Sequence, residues 1–244
     1  MSGHSKWSKV KHQKEAVDAV KGKLFTKTAN AIIIAVKEGG GITDPESNFK
    51  LRLAVERAKS INMPKENIQR AIERAGKADS VSNLTEAIYE AFGPRGIGIL
   101  IKVTTDNRMR TVAELKNILE RSGGVLASSG AVSHLFQQVG LIEIAKDGKK
   151  YDEILEDALE GGAIDIEESP DNILIYTNPN DLHRVREYLV SKGGGVNSFE
   201  LYFRPITKIP VSQKEDIEKI EKLLEALEER EDVQRVFSNY QINV

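Results

Sequence analysis

Basic side chains, two histidines and the single tryptophan of the chain are concentrated in its first 27 residues. Ammonium groups neutralise the phosphates of nucleic acid, an indole ring stacks on bases, and a histidine donates hydrogen bonds to phosphate oxygens. The residues with this chemistry are Lys6, Trp7, Lys9, Lys11, His12, Lys14, Lys21, Lys23 and Lys27. We interpret this segment as a nucleic-acid contact. The alternative is that the lysines solvate one helix face while Trp7 anchors the segment to its own domain.

Charge is divided unevenly along the chain. Residues 1–80 hold 12 lysines and 4 arginines against 9 acidic residues, a net charge of +7. The remaining 164 residues hold 19 basic and 28 acidic residues, a net charge of −9, so the whole chain carries only −2. A polyanion would attract one end of the protein and repel the rest. This split favours oriented docking on nucleic acid.

A second candidate contact is the segment 106–111, which joins a predicted strand to a predicted helix. It contains Asn107, Arg108 and Arg110, and the exposed amides of a helix N-terminus favour phosphate. The alternative is a simple turn in which Asp106 or Asn107 caps the helix. The sequence does not separate these two interpretations.

Two further cationic positions are weaker candidates. Lys65 begins a predicted helix that also carries Arg70 and Arg74, but two glutamates lie among them, which favours pairing on the helix surface. Arg95 lies in the glycine-containing turn 93–96, which does not follow the dinucleotide-binding order G-x-G-x-x-G. We interpret that segment as a turn that presents an arginine.

Signals for catalysis are weak. The chain has no cysteine, which excludes disulfides, thiolate zinc sites and cysteine nucleophiles, and its four histidines are scattered. No nucleophile elbow, phosphate-binding loop or paired-histidine zinc motif is present. The acidic residues around 165–171 are typical of a solvated edge rather than a cation site. We predict a protein that is not an enzyme, without cofactor or metal.

Neither a secretory signal nor a membrane span is indicated. No apolar run follows the basic N-terminus, and no stretch approaches the roughly 20 apolar residues of a transmembrane helix. These patterns predict a cytoplasmic protein without a membrane partner. Its oligomeric state is not predicted.

The elements that must position these residues begin with helices. Residues 1–80 show helical periodicity, with one helix over 24–38 that follows another in the tail and stops at a triple glycine. Asp44 as N-cap and Pro45 at the first position predict the start of the next helix, and Pro64 predicts the start of a last one. Residues 77–83 resemble a linker.

Beyond residue 84, strands alternate with helices, and the fold class predicted for the chain is α+β. We predict an N-terminal all-helical domain (1–80) followed by two ferredoxin-like βαββαβ domains, one inserted in the other. The inserted domain covers 137–203, and the discontinuous one combines 81–136 with 204–244. Insertion is tolerated because the ends of a domain often lie close together.

Three details of the discontinuous domain are specific enough to test. The pattern predicts a strand region over 125–136 and a strand near 207–211. Ser212-x-x-Glu215 predicts a capping box at the start of the last helix.

With these residues in view, the chain resembles the YebC family from end to end. The matching stretches occur in the family's order. They are Gly3-His4-Ser5-Lys6-Trp7, Lys11-His12-x-Lys14, Lys21-Gly22-Lys23-Leu24-Phe25-Thr26-Lys27, Asn62-Met63-Pro64-Lys65, Tyr89-Glu90-Ala91-Phe92-Gly93-Pro94-Arg95-Gly96 and Thr105-Asp106-Asn107-Arg108. Two departures are Met109, where an asparagine is usual, and Asn30, where an arginine is common.

The resemblance implies three domains and a function without catalysis. It implies a DNA-binding transcriptional regulator, or an RNA-binding, ribosome-associated translation factor that relieves stalled synthesis, so the implied partner is DNA or ribosomal RNA, with the ribosome included. Nothing in the sequence decides between these two. The alternative from another class is a small-molecule-sensing regulatory protein with ligand-binding ferredoxin-like domains, in which the loop 122–124 frames a pocket.

Overall fold

Three helices form the N-terminal unit: α1 (Lys14–Glu38), α2 (Phe49–Ser60) and α3 (Lys65–Gly76). The computed structural model describes residues 14–77, 83–146, 151–169 and 172–243, and the side chains in these ranges from residue 21 onward. Apolar residues at helical spacing meet in one core, where Ile32 and Val36 of α1 pack with Leu51 of α2 and Ile72 of α3. The predicted α+β class, with N-terminal helices followed by sheets, is confirmed.

Helix α1 is continuous where the sequence predicted two helices meeting near residue 24. The segment contains no proline, and Gly22 costs a helix only about 1 kcal/mol relative to alanine, so nothing stops it. The helix ends at the triple glycine, as predicted, because Gly40 and Gly41 adopt φ values of +72° and +83°.

Asn48, rather than the predicted Asp44, caps α2. Its side-chain oxygen accepts a hydrogen bond from Leu51 N at 3.1 Å, while its amide nitrogen donates to the carbonyls of Ala35 and Ile42, both at 3.0 Å. Asp44 instead caps the preceding turn, where it accepts from Glu46 N at 3.0 Å. The buried Asn48 amide therefore ties the end of α1 to the start of α2.

Gly39 leaves the space that this amide occupies. A Cβ at Gly39 would lie 2.1 Å from Asn48 Nδ2, so Gly39→Ala should displace the cap and lower the free energy of unfolding by about 2 kcal/mol. The matched control is Gly22→Ala, where a Cβ would meet no atom within 4 Å and helix propensity predicts a gain of roughly 0.5–1 kcal/mol. Urea unfolding of both variants measures the difference. Equal stabilities would contradict the role assigned to Asn48.

The first sheet has the order β3-β1-β2-β9 and is antiparallel throughout. Its strands are β1 (Thr85–Phe92), β2 (Gly98–Thr105), β3 (Val125–Leu126) and β9 (Val233–Ser238). Helices α4 (Arg108–Arg121) and α7 (Lys214–Glu228) cover one face, and Leu115, Leu119, Ile220 and Leu223 fill the core between helices and sheet. Along the chain, this unit consists of β1, β2, α4 and β3, followed after the inserted segment by α7 and β9. This order differs from the βαββαβ order predicted for this part.

Glu90 explains why the strand predicted over 125–136 stops after Leu126. The Glu90 side chain is 7% exposed and accepts backbone hydrogen bonds from Gly130 at 2.7 Å, Val132 at 2.5 Å and Ser133 at 2.9 Å. These amides point at a carboxylate instead of a neighbouring strand. The loop between β3 and the next sheet is therefore folded around a single buried side chain.

The C-terminal part departs from prediction in two places. The predicted strand near 207–211 is β8 (Ile209–Val211), which pairs in parallel with β10 (Tyr240–Ile242) in a separate two-stranded sheet. Its central residue is a proline, which lacks the N–H that a central strand requires. The predicted capping box is wrong, because α7 begins at Lys214 with Gln213 as an N-cap that makes no side-chain capping bond.

The inserted segment forms the second four-stranded sheet. Its elements in chain order are β4 (Phe136–Ala145), α5 (Tyr151–Gly161), β5 (Asp165–Glu168), β6 (Asn172–Thr177), α6 (Leu182–Ser191) and β7 (Val196–Pro205). The sheet order is β5-β6-β4-β7, antiparallel throughout, and both helices pack on one face. The sequence of elements agrees with the one predicted for this segment.

The helix-free faces of the two sheets pack against each other. Leu100 and Phe237 of the first sheet meet Tyr176 and Tyr202 of the second in a continuous core. The Phe237 ring lies 5.3 Å from the Tyr202 ring, edge to face. The helical unit docks on both sheets, α1 against β2 and β9 and α2 against β7. Within the described ranges, no helix is long and apolar enough to span a bilayer.

Candidate nucleic-acid interface

Part of the predicted contact lies outside the described residues. Lys6, Trp7, Lys9, Lys11 and His12 precede residue 14, and Lys14 is the first residue of α1, described by its backbone alone. The structure therefore places the beginning of the helix that follows the basic tail.

The N-terminal half of α1 carries exposed lysines. Among the described side chains of α1, Phe25 is the first that packs in the helical core, while Lys21 and Lys23 are exposed. Residues 14–24 span about 16 Å of helix ahead of Phe25. Because α1 is continuous, the orientation of this segment follows from the docking of its second half.

Lys27, also predicted as a contact, is turned toward the interior of the protein. Its ammonium group donates to the backbone carbonyl of Glu228, at the C-terminal end of α7. Burial lowers the pKa of Lys27, and the negative charge of Glu228 only partly offsets that effect. A cation at a helix C-terminus satisfies a free carbonyl and the negative end of the helix dipole. Lys27 therefore holds α1 against the first sheet unit.

The segment 106–111 places its predicted residues around the N-terminus of α4. Asn107 is the N-cap, and its side-chain oxygen accepts from Arg110 N at 3.0 Å, which resolves the choice between Asp106 and Asn107. Arg108 is exposed, and its Nε donates to Thr85 Oγ1 at 3.4 Å, a long and weak hydrogen bond. The Arg108 guanidinium is thus accessible at the N-terminus of α4, which Asn107 caps.

Arg110 is engaged within the chain. Its guanidinium pairs with Asp106 at 2.8 Å and Asp232 at 3.4 Å, and these carboxylates raise its pKa, Asp232 contributing most. Asp232 also accepts from Thr111 Oγ1 at 2.7 Å. Asp232 was not predicted from the sequence, because it lies more than 120 residues away from these two partners. Arg110 fixes the start of α4 while Arg108 faces solvent.

Arg95 lies at the opposite end of the β1–β2 hairpin. It adopts φ +63°, and its guanidinium pairs with Asp216 at 2.6 Å and donates to Gln213 Oε1 at 2.7 Å. The paired strands β1 and β2 extend over seven residue steps from the turn with Arg95 to the end of the hairpin at which α4 begins. This length corresponds to about 23 Å. Arg95 therefore clamps the hairpin turn to the start of α7 and does not lie beside Arg108.

Lys65 is exposed at the first position of α3. Arg70, on the same helix, donates to the Glu66 carbonyl and to the Asn67 side chain, which agrees with pairing on the helix surface.

Charged residues that the sequence did not single out hold the three units together. Glu200 of β7 pairs with Arg235 of β9 at 2.8 Å and with Arg57 of α2 at 3.8 Å. Arg186 of α6 pairs with Glu56 of α2 at 3.1 Å. The partners in these pairs are 35 to more than 100 residues apart, so no local sequence signal could have revealed them. The basic helical unit is thereby fixed relative to the acidic part of the chain.

The acidic residues that the structure describes around 165–171, which the sequence predicted to form an edge rather than a cation site, pair with basic side chains. Arg204 pairs with Asp165 at 2.5 Å and with Glu167 at 2.6 Å, while Lys146 pairs with Glu168 at 2.6 Å. Searched over the described residues, no group of three or more His, Asp or Glu side chains could hold a metal ion. In the loop 122–124, a Cβ at Gly124 would lie 2.8 Å from the Phe92 carbonyl oxygen, so the backbone of this loop packs closely against the end of β1.

Comparison with known proteins gives matches over nearly the whole chain. Residues 5–78 match the family model described as TACO1/YebC protein N-terminal domain, and residues 84–240 match the TACO1/YebC second and third domain. A probable transcriptional regulatory protein of Sulfurihydrogenibium sp. (strain YO3AOP1) is 45% identical over 99% of this chain and 96% of its own length. One from Caldanaerobacter subterraneus subsp. tengcongensis is 43% identical over 99% of both chains. The crystal structure of a conserved hypothetical protein from Aquifex aeolicus is 40% identical, covers 98% of both chains and has a TM-score of 0.88.

Proposed function

Since the chain belongs to the TACO1/YebC family, we propose that it is a non-enzymatic regulator of gene expression that docks its basic helical unit on nucleic acid. Relatives that match 99% of the chain are named probable transcriptional regulatory proteins, which supports a regulatory role. The observation that carries the proposal is the continuity of α1, whose exposed Lys21 and Lys23 extend the basic tail into a helix fixed to the rest of the molecule.

The contact surface in this proposal has two parts. The first is the tail with the start of α1, comprising Lys6, Trp7, Lys9, Lys11, His12, Lys14, Lys21 and Lys23. The second is the start of α4, where Asn107 presents helix amides and Arg108 an accessible guanidinium. Lys65 is exposed and adds a further cation. Phosphate contacts of this kind position a protein without reading sequence.

Lys27, Arg95 and Arg110 act in this proposal as positioning residues. Lys27 is bound to the end of α7, Arg95 to the start of α7, and Arg110 to Asp106 and Asp232. A side chain that already has an anionic or carbonyl partner must release it before it can bind phosphate, so its net gain is small. These residues fix the direction in which α1 and α4 face their ligand.

We further propose the domain division 1–80, 81–136 with 204–244, and 137–203, with both α+β units as separate domains and the inserted unit 137–203 as a ferredoxin-like one. Their net charge is negative, which keeps them away from phosphate and leaves them for contact with a protein partner or for orientation. The protein acts in the cytoplasm, either on DNA in transcription or on ribosomal RNA as a ribosome-associated factor that relieves stalled synthesis.

Titration of the protein with duplex DNA and with ribosomal RNA fragments, at several salt concentrations, tests the proposal. The logarithm of the binding constant should fall linearly with the logarithm of salt concentration, with a slope of about 0.7–0.9 for each phosphate that the protein neutralises. Sequence-preferring affinity for duplex DNA supports the transcriptional arm, and cosedimentation with ribosomal particles supports the translational arm. Absence of salt-dependent binding to either polymer would overturn the proposal.

A pair of single substitutions distinguishes contact from positioning at α4. Arg108→Ala should weaken binding severalfold and lower the salt slope by about 1, without changing the melting temperature, because its weak hydrogen bond adds little stability. Arg110→Ala should lower the melting temperature, because it leaves Asp232 without its cation. Identical effects of the two substitutions on binding and on melting would contradict these assignments.

A further inference from the structure

The methionines of this chain have very different environments. The sequence contains three methionines and no cysteine. Met63 is 6% exposed in the helical core, whereas Met109 is 81% exposed in the first turn of α4. A thioether at that exposure contributes nothing to the packing of its own helix.

The surroundings of Met109 are fixed and cationic. Arg108 and Arg110 flank it in the chain, Arg110 is anchored by Asp106 and Asp232, and Asn107 caps the helix. An exposed apolar side chain next to an accessible guanidinium can lie against a base or sugar while the Arg108 guanidinium faces phosphate. Apolar side chains that contact bases in this way contribute to binding beyond electrostatics.

An exposed thioether is also open to oxidation. The sulfur lone pair attacks one oxygen of hydrogen peroxide, and an S–O bond forms as the O–O bond breaks. The second oxygen leaves as hydroxide and takes the proton of the new S–OH group, which gives water and the S=O group. Sulfur loses two electrons, peroxide is reduced, and the product is a sulfoxide. Methionine sulfoxide reductases reverse the reaction by oxidising two thiols to a disulfide, with release of the sulfoxide oxygen as water. With no cysteine in the chain, no thiolate competes for the oxidant.

We propose that Met109 is a reversible oxidation site that weakens the α4 contact with nucleic acid when a peroxide converts its thioether to the sulfoxide. The consequence for binding rests on the proposed function. The sulfoxide is polar and hydrated, so it no longer packs favourably against a base or sugar.

The experiment treats the full chain with dilute hydrogen peroxide and follows both methionines by mass spectrometry after cleavage at glutamates. The fragment 91–114 contains Met109 and the fragment 57–66 contains Met63. Because susceptibility follows exposure, Met109 should gain one oxygen roughly ten times faster than Met63. Equal rates would overturn the proposal, whatever the protein binds.

Binding of the same samples to DNA and to ribosomal RNA fragments tests the consequence. Oxidation should lower the affinity about three- to tenfold, because one apolar side chain no longer packs on the nucleic acid, and methionine sulfoxide reductase should restore it. The Met109→Leu variant keeps an apolar side chain that cannot form a sulfoxide, so peroxide should leave its affinity unchanged.

If the untreated protein binds and Met109 is then oxidised selectively without a change in affinity, the proposed effect of Met109 oxidation on binding is overturned. The proposed function is left intact. If untreated protein and the Met109→Leu variant both fail to bind either polymer, the proposed function fails. The proposed effect of Met109 oxidation on binding then fails with it.

Discussion

Replacing Lys6, Lys9, Lys11 and Lys14 together by alanine should lower nucleic-acid affinity by roughly two to three orders of magnitude near physiological salt. Each lysine that neutralises a phosphate releases a counterion, so the salt slope should fall by about 0.7–0.9 for every phosphate that is no longer neutralised. The melting temperature should change little, because the described α1 side chains that pack in the helical core, from Phe25 onward, are unchanged in this variant. Titrations at several salt concentrations, with a thermal melt of each variant, measure both quantities.

A variant with the same change in net charge provides the control. Lys116, Lys214, Lys219 and Lys222 are exposed on α4 and α7, outside residues 1–27 of the sequence. If replacing these four lysines by alanine reduced the affinity as much as replacing the four lysines of the tail, binding to nucleic acid would depend on the overall charge of the protein rather than on a local surface. Unchanged affinity in the first variant, together with a lower melting temperature, would identify the tail as a structural element of its own domain.

Glu90→Gln should produce a large loss of stability, about 2 kcal/mol or more. The carboxylate accepts three backbone hydrogen bonds from Gly130, Val132 and Ser133, and hydrogen bonds to a charged group contribute about 1.5–3 kcal/mol. Glutamine offers one acceptor oxygen and turns an NH2 group toward at least one of these donors. Denaturant unfolding at neutral pH measures the loss.

The same contribution should depend on pH. Burial alone would raise the pKa of Glu90, but the three backbone N–H groups outweigh that effect and hold the pKa below its usual 4.5. Because the folded state has the lower pKa, the stabilisation is complete above about pH 5.5 and declines as pH falls through the folded pKa. The difference between wild type and Glu90→Gln should therefore be constant near neutral pH and shrink in acid.

Glu86→Gln is the matched control for this prediction. Glu86 lies on the same strand and face, and it pairs with Lys102 at 3.0 Å near the surface. Such a pair contributes about 0–1 kcal/mol, so this variant should remain close to wild type. A stability loss at Glu90 no larger than at Glu86, or a loss that does not shrink in acid, would contradict the buried-carboxylate role.

The parts of the fold that the sequence predicted are those governed by local periodicity. The apolar positions Ile154 and Ala158 predicted α5, and Leu182, Val185 and Leu189 predicted α6, which both pack as expected. The triple glycine predicted the end of α1 because positive φ values need residues without a Cβ. These signals depend only on neighbours a few residues away.

The parts that prediction missed depend on distant partners. Asn48 prevails over Asp44 as the cap because its amide also reaches Ala35, 13 residues earlier. Glu90 ends a predicted strand through amides about 40 residues later in the chain. Periodicity carries no information on such contacts.

The same distinction applies to the candidate interface. Composition singled out Lys27, Arg95 and Arg110 as cations. Their carbonyl and carboxylate partners lie more than 100 residues away in the chain, except for Asp106, which is close to Arg110 in sequence. Side-chain type identified where positive charge lies, and only the fold separates the cations that face solvent from those that join the units. The exposure of Met109 was likewise not evident from its place between two arginines.

The most direct test of nucleic-acid docking is crosslinking in cells, followed by recovery of the full-length protein and sequencing of the nucleic acid bound to it. The variant lacking Lys6, Lys9, Lys11 and Lys14 serves as the comparison. Docking through the basic segment predicts strong enrichment of either DNA or ribosomal RNA with the wild-type protein and disappearance of that enrichment with the variant. Enrichment of neither polymer, or equal enrichment with both proteins, would contradict it.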